Sequence, residues 1–329
     1  MKYKILVTGS AGFIGFHLLK KILLQGYSAY GIDNLNNSYG KNIKTDRLKE
    51  IQKLSKKNKF SYHFEKLDLK NKKKVIDLFK KNNFEIVVHL AAQAGVRDSM
   101  LKSSQFFNDN VIGFQNLLEG CKINMPSHLL FASSSAVYGN SKKAPFSEKD
   151  DTDNPASFYG VTKKTNELMA FTFSNLYSIP TTGLRFFTVY GPYGRPDMAY
   201  YKFTKSIINN RTIDAFEKNK MFRDFIYIDD VIDAIIKLIK KPPIKKDNYV
   251  RILNIGNNKA IKLDNFIKTI EKICNKRAKV INKKMPDGDV FVTKANIKRI
   301  NKLIKFRPKT SLKAGLKEFV AWYKIYKNK

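Results

Sequence analysis

The sequence predicts an α/β protein with a doubly wound parallel sheet and a smaller mixed α/β domain towards the C-terminus. Through the first half, short apolar runs rich in β-forming residues alternate with helix-like segments. The first run leads into a glycine-rich loop that opens a helix, and a further apolar run returns late in the chain. This alternation is typical of βαβ units, whose strands form a parallel sheet with helices on both faces.

Six runs in the first half are the predicted strands, with helix-like segments between them: YKILVTG, YSAYGID, FSYHFEKLDL, EIVVHLAA, HLLFASS and TTGLRFF. A seventh strand, RILNIGN, follows the helix-like VIDAIIKLI. We therefore predict a Rossmann domain over residues 1–190 that is completed by about 226–257. Residues 191–329 begin with a segment rich in glycine and proline and end in helical material around Trp322. They are predicted to form mainly a substrate-binding domain.

The composition indicates a globular chain, because 43% hydrophobic residues over 329 positions are enough for a sizeable core. The start, MKYKILVTGS, has the pattern of a strand entering a glycine loop rather than a signal peptide, and no apolar run reaches the ~18 residues of a membrane span. We expect a cytoplasmic protein without membrane contact. Cys121 and Cys274 fall in predicted helices without partners at metal-ligand spacing, so neither a disulfide nor a metal site is expected.

The formal net charge of +34 raises the question of nucleic-acid binding. Most of the basic residues are lysine, however, and they are spread through predicted helices and loops instead of forming one tract. Readers of bases and phosphates use arginine forks and interleaved aromatic residues. We interpret the charge as a compositional bias towards lysine and asparagine and expect no nucleic-acid partner, although such a field would attract anionic substrates.

The loop after the first strand has the form of a dinucleotide-binding loop. Gly9, Gly12 and Gly15 allow a tight turn and a close approach of the backbone to a pyrophosphate. Phe13 and Ile14 begin the helix that follows, whose N-terminus offers free amide donors and a positive dipole potential. The G-x-x-G-x-x-G spacing alone is a weak signal, and a glycine turn without a ligand is the alternative.

Acidic residues end the second and third strands. Asp33 can accept hydrogen bonds from the ribose hydroxyls of a dinucleotide, and Asn34 rather than an arginine follows it, which favours NAD over NADP. Asp68, followed by Leu69, either contacts the adenine end of the cofactor or caps the next helix. At the fourth strand, small residues after Leu90 allow the backbone to approach a flat ligand, namely Ala91 and Ala92. His89 is interpreted as a packed strand residue.

Tyr159 and Lys163 are the candidate catalytic pair. They are four residues apart in the helix-like stretch Ser157 to Tyr177, so both side chains lie on one helix face. A phenol with a pKa near ~10 is a poor base at neutral pH. A nearby ammonium and the charge of an oxidised nicotinamide would both favour the phenolate. Tyr159 is therefore a candidate general base, in dehydrogenase-type chemistry on a bound nicotinamide dinucleotide.

Together these motifs resemble the extended short-chain dehydrogenases that act on nucleotide sugars. The resemblance covers essentially the whole chain and rests on the glycine loop, Asp33, L-A-A at 90–92, N-V-x-G at 110–113, the serine run before V-Y-G at 137–139, Tyr159-x-x-x-Lys163 and R-D-F-I-Y-I-D-D at 223–230. Within that family the stretches DNLNNSY, HLAAQAGVRDS and TTGLRFFTVYGPYGRPDMAYYKFT look most like UDP-glucuronate 4-epimerases.

The resemblance implies roles for individual residues. Ser134 aligns with the residue that hydrogen-bonds the sugar 4-hydroxyl, Tyr159 with the base, and Lys163 with its electrostatic partner, which also holds the nicotinamide ribose. Arg223 would contact the diphosphate of a UDP-sugar, since a guanidinium fork matches phosphate oxygens.

The resemblance also aligns Ser135, Ala136 and Thr188 with positions near the sugar carboxylate, and Arg195 with the arginine of the G-R-P-D-M segment. Ser135, Thr188 and Arg195 each have a structural alternative. Ser135, like Ser133, could be a residue of the turn at the strand end, Thr188 could be a core residue, and Arg195 could clamp its own loop.

The fate of the 4-keto sugar distinguishes the reactions of this family. The resemblance places an acid–base pair after the catalytic residue in 4,6-dehydratases and a glutamate before V-Y-G in decarboxylases, whereas this chain has Ser135 and Ala136. The remaining outcome is that the hydride returns to the opposite face of the 4-keto sugar. This return inverts the configuration at carbon 4. A threonine at 188, where epimerases of neutral sugars typically have asparagine, favours glucuronate. The alternatives are a UDP-glucose or UDP-N-acetylglucosamine 4-epimerase, or a basic binding protein with a retained dinucleotide fold.

The chain departs from the family pattern at two places. Tyr193 stands where many UDP-glucuronate epimerases have tryptophan, and the segment Met285 to Val290 lacks a phosphate-binding arginine found in many nucleotide-sugar epimerases. The family also implies a homodimer, with two long helices at about Leu101 to Asn124 and Ser157 to Tyr177 forming a four-helix interface. The polysaccharide that would receive the product is not indicated.

Overall fold

The computed structural model describes residues 3–141, 143–245, 248–286 and 288–327. Twelve strands are present among them: β1 Lys4–Thr8, β2 Ser28–Asp33, β3 Tyr62–Lys66, β4 Ile86–His89, β5 His128–Ser134, β6 Thr181–Phe186, β7 Thr188–Tyr190, β8 Thr212–Phe216, β9 Phe222–Tyr227, β10 Val250–Ile255, β11 Ala260–Lys262 and β12 Lys279–Lys283. The α-helices in the same residues are α1 Phe13–Leu24, α2 Lys41–Asn58, α3 Lys72–Lys81, α4 Val96–Leu101, α5 Ser103–Phe107, α6 Gly113–Asn124, α7 Phe158–Tyr177, α8 Ala199–Ile208, α9 Ile228–Ile239, α10 Leu263–Cys274, α11 Lys298–Ile304 and α12 Leu312–Lys327.

Seven parallel strands form the large sheet in the order β10-β6-β5-β4-β1-β2-β3. Strands covered on both faces are nearly continuous apolar runs, and all four residues of β4 are buried. The prediction of a doubly wound α/β fold is confirmed. The late run after residue 250 is the seventh strand, because β10 pairs with β6 from Val250 to Ile255.

The glycine loop between β1 and α1 folds back tightly on the end of β4. Gly9 has a φ of 66°, and a Cβ placed there would lie 2.6 Å from the backbone nitrogen of Ala91. A Cβ on Gly15 would lie 2.2 Å from the carbonyl oxygen of Gly9. Only glycine fits these positions, and the turn leaves a hollow at the N-terminus of α1.

The two helices of the predicted dimer interface differ in regularity. α7 begins as expected, since the Ser157 hydroxyl accepts a hydrogen bond from the Gly160 backbone N–H at 3.1 Å. The long helix predicted at about Leu101 to Asn124 is helical without interruption from Ser103 to Asn124. Lys102 separates it from α4, and it contains a π-helical turn, Asn108–Ile112, before α6. The wider turn directs the Asn110 side chain to the backbone of the segment after β4.

Smaller sheets lie beyond the large one. β11, β9 and β7 form a three-stranded sheet, and β12 pairs with β8. Phe225 of β9 stacks on Phe266 of α10 with ring centroids 4.3 Å apart, and both rings are buried in a core that continues to α12. Cys121 and Cys274 are buried free thiols, as their helical context predicted. None of the helices described is long and apolar enough to span a bilayer.

Candidate active site

A cleft of about 430 Å³ lies at the carboxyl ends of the parallel strands, the edge at which open α/β sheets bind ligands. All of the residues predicted to bind cofactor or substrate line it: Gly9, Gly12, Phe13, Ile14, Gly15, Asp33, Asn34, Asp68, Leu69, Leu90, Ala91, Ala92, Ser134, Ser135, Tyr159, Lys163, Thr188, Arg195 and Arg223. The topology explains this convergence, because each of them follows a strand of the large sheet or enters from the smaller sheets.

Asp33 is buried and fixes the backbone of the glycine loop. Its carboxylate accepts hydrogen bonds from the backbone N–H groups of Ala11 at 3.2 Å and Leu35 at 2.8 Å. The ammonium of Lys44, from α2, lies 3.6 Å from the same carboxylate and also lines the cleft. Sequence reasoning missed Lys44, because nothing in its spacing distinguishes it from the many surface lysines.

Asp68 lies beside Asn34 on the wall of the cleft. It accepts hydrogen bonds from the Asn34 amide at 3.2 Å and the Lys70 backbone N–H at 2.9 Å. The helix that follows is capped by Asn71, whose side chain accepts from Lys74. The suggestion that Asp68 caps this helix is therefore wrong, and its position on the cleft wall leaves cofactor contact as the remaining alternative.

The end of β4 is held by Thr8. Its hydroxyl accepts hydrogen bonds from the backbone N–H groups of Leu90 and Ala91, both at 3.2 Å, and it is hydrogen-bonded to Nδ1 of His89 at 2.8 Å. His89 is buried and stacks on Phe114, and burial lowers its pKa well below the ordinary value. This arrangement agrees with its interpretation as a packed strand residue.

Ser134, Tyr159 and Lys163 meet at the end of β5. The Tyr159 phenol lies close enough to the Ser134 hydroxyl for that hydroxyl to lower its pKa, and the Ser134 hydroxyl accepts a hydrogen bond from the Ala136 backbone N–H at 3.2 Å. The Lys163 ammonium donates to the Ala132 carbonyl at 2.9 Å and lies 5.9 Å from the centroid of the Tyr159 ring. A phenol, a hydroxyl and an ammonium so arranged can relay a proton to or from a ligand in the cleft.

Burial and a second cation affect the Tyr159 phenol. Burial raises the pKa of Tyr159, whereas the Ser134 hydroxyl and the Arg195 charge lower it. Arg195 is thus a cation that favours the phenolate and that sequence reasoning did not place beside Tyr159. Burial also lowers the pKa of Lys163 to about 8, so this ammonium is easily deprotonated for a lysine.

One more residue of α7 continues the catalytic face. Glu167 lies four residues beyond Lys163, and one of its oxygens accepts a hydrogen bond from the Ser133 hydroxyl at 2.5 Å. Arg185 of β6 forms two hydrogen bonds of 2.8 Å to the same carboxylate, and both side chains are buried. The sequence contained a signal for Glu167 in its helical spacing from Tyr159 and Lys163. Ser133 is thus part of this ion-pair network rather than only a turn residue.

Thr188 and Arg195 face the catalytic group from the other side of the cleft. Thr188 is half-buried and lines the cleft, so the alternative of a core residue is wrong. Arg195 donates to Asp197 through Nε at 3.1 Å and through Nη2 at 2.6 Å, and to the Ala94 carbonyl at 2.9 Å. It therefore clamps its loop, as one interpretation expected, while its guanidinium also lines the cleft.

Arg223 shares a carboxylate with a second arginine. Asp289 accepts a hydrogen bond from Arg223 at 2.6 Å and one from Arg97 at 3.3 Å. This carboxylate belongs to the segment Met285 to Val290, in which Asp287 lies outside the described residues. The divergent segment therefore supplies a counter-ion for Arg223 at the cleft and for the exposed Arg97.

The family model of the NAD dependent epimerase/dehydratase family matches residues 5–256, and the chain belongs to this family. Over 339 residues it is 44% identical to Protein CapI of Staphylococcus aureus, with 99% of this chain and 100% of that protein covered. It is 39% identical over 339 residues to UDP-glucuronate 4-epimerase 4 of Arabidopsis thaliana, covering 98% of this chain and 75% of the relative.

A solved structure has nearly the same fold. The crystal structure of UDP-glucuronic acid 4-epimerase from Bacillus cereus, in complex with UDP-glucuronic acid and NAD, superposes with a TM-score of 0.89 at 33% sequence identity. The match covers 98% of this chain and 99% of that one.

Proposed function

We infer that this protein is an NAD-dependent nucleotide-sugar 4-epimerase, which interconverts UDP-glucuronate and UDP-galacturonate by transient oxidation at sugar carbon 4. The observation that carries this inference is the convergence of Ser134, Tyr159 and buried Lys163 in the same cleft as a glycine loop. Full-length similarity to UDP-glucuronate 4-epimerases supports the choice of reaction.

The cofactor half of the cleft fits NAD. The hollow at Gly9 and Gly15 has no room for side chains, and among the described residues no side chain caps the N-terminus of α1 at Gly12. The backbone N–H groups at the start of α1 are therefore available to a pyrophosphate. Asp33 would hold the adenosine ribose, and Lys163 the nicotinamide ribose. When bound, oxidised NAD supplies the hydride acceptor at carbon 4 and a positive charge that favours the Tyr159 phenolate.

Proton transfer is assigned to the pair at the end of β5. Tyr159, as phenolate, takes the proton of the sugar 4-hydroxyl through the Ser134 hydroxyl while the hydride leaves carbon 4, and the sugar becomes a 4-ketone. In the reverse transfer the phenol returns the proton to the new 4-hydroxyl, on the opposite face of a rotated sugar. The reaction therefore has no net redox change and no net proton release.

The residues after Ser134 do not support dehydration or decarboxylation of the 4-keto sugar. Ser135 and Ala136 both line the cleft, and neither a serine hydroxyl nor a methyl group can provide the acid–base pair that dehydration needs. A decarboxylating glutamate is likewise absent from position 136. Inversion at carbon 4 is the reaction that this set of side chains supports.

We assign the recognition of the uronate to Ser135, Thr188 and Arg195. Within the described part of the chain, Nη1 of Arg195 donates no hydrogen bond, although Nε and Nη2 are both engaged. That nitrogen is therefore available to a carboxylate in the cleft. A β-keto acid loses carbon dioxide when the breaking bond aligns with the carbonyl π system, and fixed donors at these positions would hold the carboxylate out of that alignment.

We also propose that the protein is a cytoplasmic homodimer whose product enters polysaccharide biosynthesis. Large apolar side chains are exposed on α7 and on the neighbouring helices α4 to α6: Val161, Leu168, Phe171, Leu176, Met100, Leu101, Phe107 and Ile123. Apolar side chains exposed on these neighbouring helices are suited to packing against a second copy of the same surface.

The reaction is tested by proton NMR of UDP-glucuronate with purified protein and no added cofactor. We expect UDP-galacturonate to appear, because NAD should remain bound through turnover. Tyr159→Phe should retain the fold and NAD but lose at least about 10²-fold in rate, the usual contribution of a general base. Unchanged UDP-glucuronate with added NAD, or full activity of Tyr159→Phe, would contradict the assignment.

Restraint of the carboxylate is tested by Thr188→Val. Removing the hydroxyl while keeping the shape should raise several-fold the fraction of UDP-pentose, the product of carbon dioxide loss, relative to UDP-galacturonate, as measured by mass spectrometry. The matched control is Thr204→Val, since Thr204 is buried in α8 and does not line the cleft. An unaltered product ratio in Thr188→Val argues against this role.

The dimer is tested by sedimentation velocity. The wild type should sediment with twice the mass of one chain, and Leu168→Glu with Phe171→Glu should shift it towards the monomer, because charges would be buried at the interface. Leu24→Glu, a change at an exposed leucine of α1, is the control. A monomeric wild type at micromolar concentration rules the dimer out.

A further inference from the structure

Arg47, in α2, is a fully buried guanidinium outside the groups assigned to catalysis or binding. Its side chain is 0% exposed. Among the ion pairs of the described residues, none includes Arg47. A buried charge is costly unless hydrogen bonds or opposite charges compensate it, so its surroundings must explain why it is there.

The guanidinium is hydrogen-bonded to three separate segments of the chain. Nη1 donates to the Ala11 carbonyl at 2.9 Å and to the Tyr39 hydroxyl at 3.0 Å. Nε and Nη2 both donate to the Tyr193 carbonyl, at 3.1 Å and 2.6 Å, and Nη2 reaches the Gly194 carbonyl at 3.5 Å. The planar fork therefore joins α2 to the glycine loop and to the turn after β7.

At the glycine loop, Arg47 completes the fixation of one residue. The Ala11 backbone N–H donates to the Asp33 carboxylate, and the Ala11 carbonyl accepts from Arg47. Both polar groups of this residue are therefore held by buried charged side chains of opposite sign. These two hydrogen bonds fix the position of the loop that would receive the cofactor diphosphate.

At the turn after β7, Arg47 holds a strained residue that stands two positions before Arg195, which is proposed to bind the uronate. Tyr193 has a φ of 55°, which is unfavourable for a residue with a bulky side chain. Two hydrogen bonds from Arg47 reach the carbonyl of this residue, and the Arg195 backbone N–H donates to the Tyr200 hydroxyl at 3.0 Å. The direction of the Arg195 side chain is therefore set partly by Arg47.

Tyr39 links the same group to the cleft. Its ring centroid lies 5.6 Å from the guanidinium carbons of both Arg47 and Arg195, and 5.6 Å from the Lys44 ammonium. Three cations thus surround one aromatic ring that lines the cleft. Anionic ligands on either side of this ring would compensate charge that the described side chains leave unbalanced at Arg47.

We propose that Arg47 is a positioning residue that couples the cofactor loop to the substrate turn, so that NAD and the UDP-sugar bind cooperatively. NAD binding would fix the glycine loop, and through Arg47 the turn that carries Arg195. The inference rests on the proposed function only in taking NAD and a UDP-sugar as the ligands of the cleft. Cooperative retention would keep the reduced cofactor in place while the 4-keto sugar rotates.

The test is the affinity for UDP-glucuronate, measured by calorimetry on NAD-loaded and NAD-stripped protein in a Tyr159→Phe background, which prevents turnover. In this background we expect UDP-glucuronate to bind about tenfold more tightly to the loaded form, within the usual range of coupling between two sites. Adding Arg47→Lys keeps the charge but loses the fork, so the ratio should fall to about twofold or less. Adding Arg211→Lys, at an exposed arginine, should leave the ratio unchanged.

The ratio of the two affinities distinguishes coupling from a merely structural role. A residue that only stabilises the fold would lower the melting temperature and weaken both affinities equally, which leaves the ratio unchanged and overturns the proposal. Equal binding of UDP-glucuronate with and without NAD in the Tyr159→Phe background overturns it as well, whether or not the Arg47→Lys variant folds. Failure of UDP-glucuronate to bind either form of this background would overturn the proposed function together with this inference.

Discussion

The contact between one face of α7 and the last residues of β5 determines the chemistry of the cleft. Tyr159, Lys163 and Glu167 are spaced at successive turns of α7. Tyr159 lies beside Ser134, the Lys163 ammonium donates to the Ala132 carbonyl, and Glu167 accepts from the Ser133 hydroxyl. Helix and strand are thus registered at three consecutive residues. The phenol is presented to the serine hydroxyl because the other two contacts fix the distance between the two elements.

Charge balance explains much of the remaining design. Two buried carboxylates have a cationic partner, Glu167 with Arg185 and Asp33 with Lys44. Arg47 differs, since among the described residues its hydrogen-bond partners are carbonyl and hydroxyl oxygens. The net charge of +34 belongs to the whole chain and attracts anionic ligands towards it, whereas the charged residues that line the cleft are of both signs.

Much of the fold could be predicted from local sequence. The buried parallel strands have continuous apolar sequences, and α7 begins after the N-cap serine Ser157. The π-helical turn could not be predicted, since no local pattern encodes the pairing of the Asn110 side chain with the Gln93 backbone that accompanies it. The catalytic residues were visible through helical spacing and strand ends. The burial of Lys44 and Arg47 could not be predicted, because in a lysine-rich chain only the folded structure shows which cations face inward.

The central claim is that a hydride leaves carbon 4 and returns to the same carbon within one binding event. The most direct measurement uses UDP-glucuronate carrying deuterium at carbon 4, with mass spectrometry and NMR of the product formed in ordinary water. The account predicts UDP-galacturonate that retains the deuterium at carbon 4. Replacement of the deuterium by hydrogen from the solvent would show inversion by proton exchange and would contradict the account.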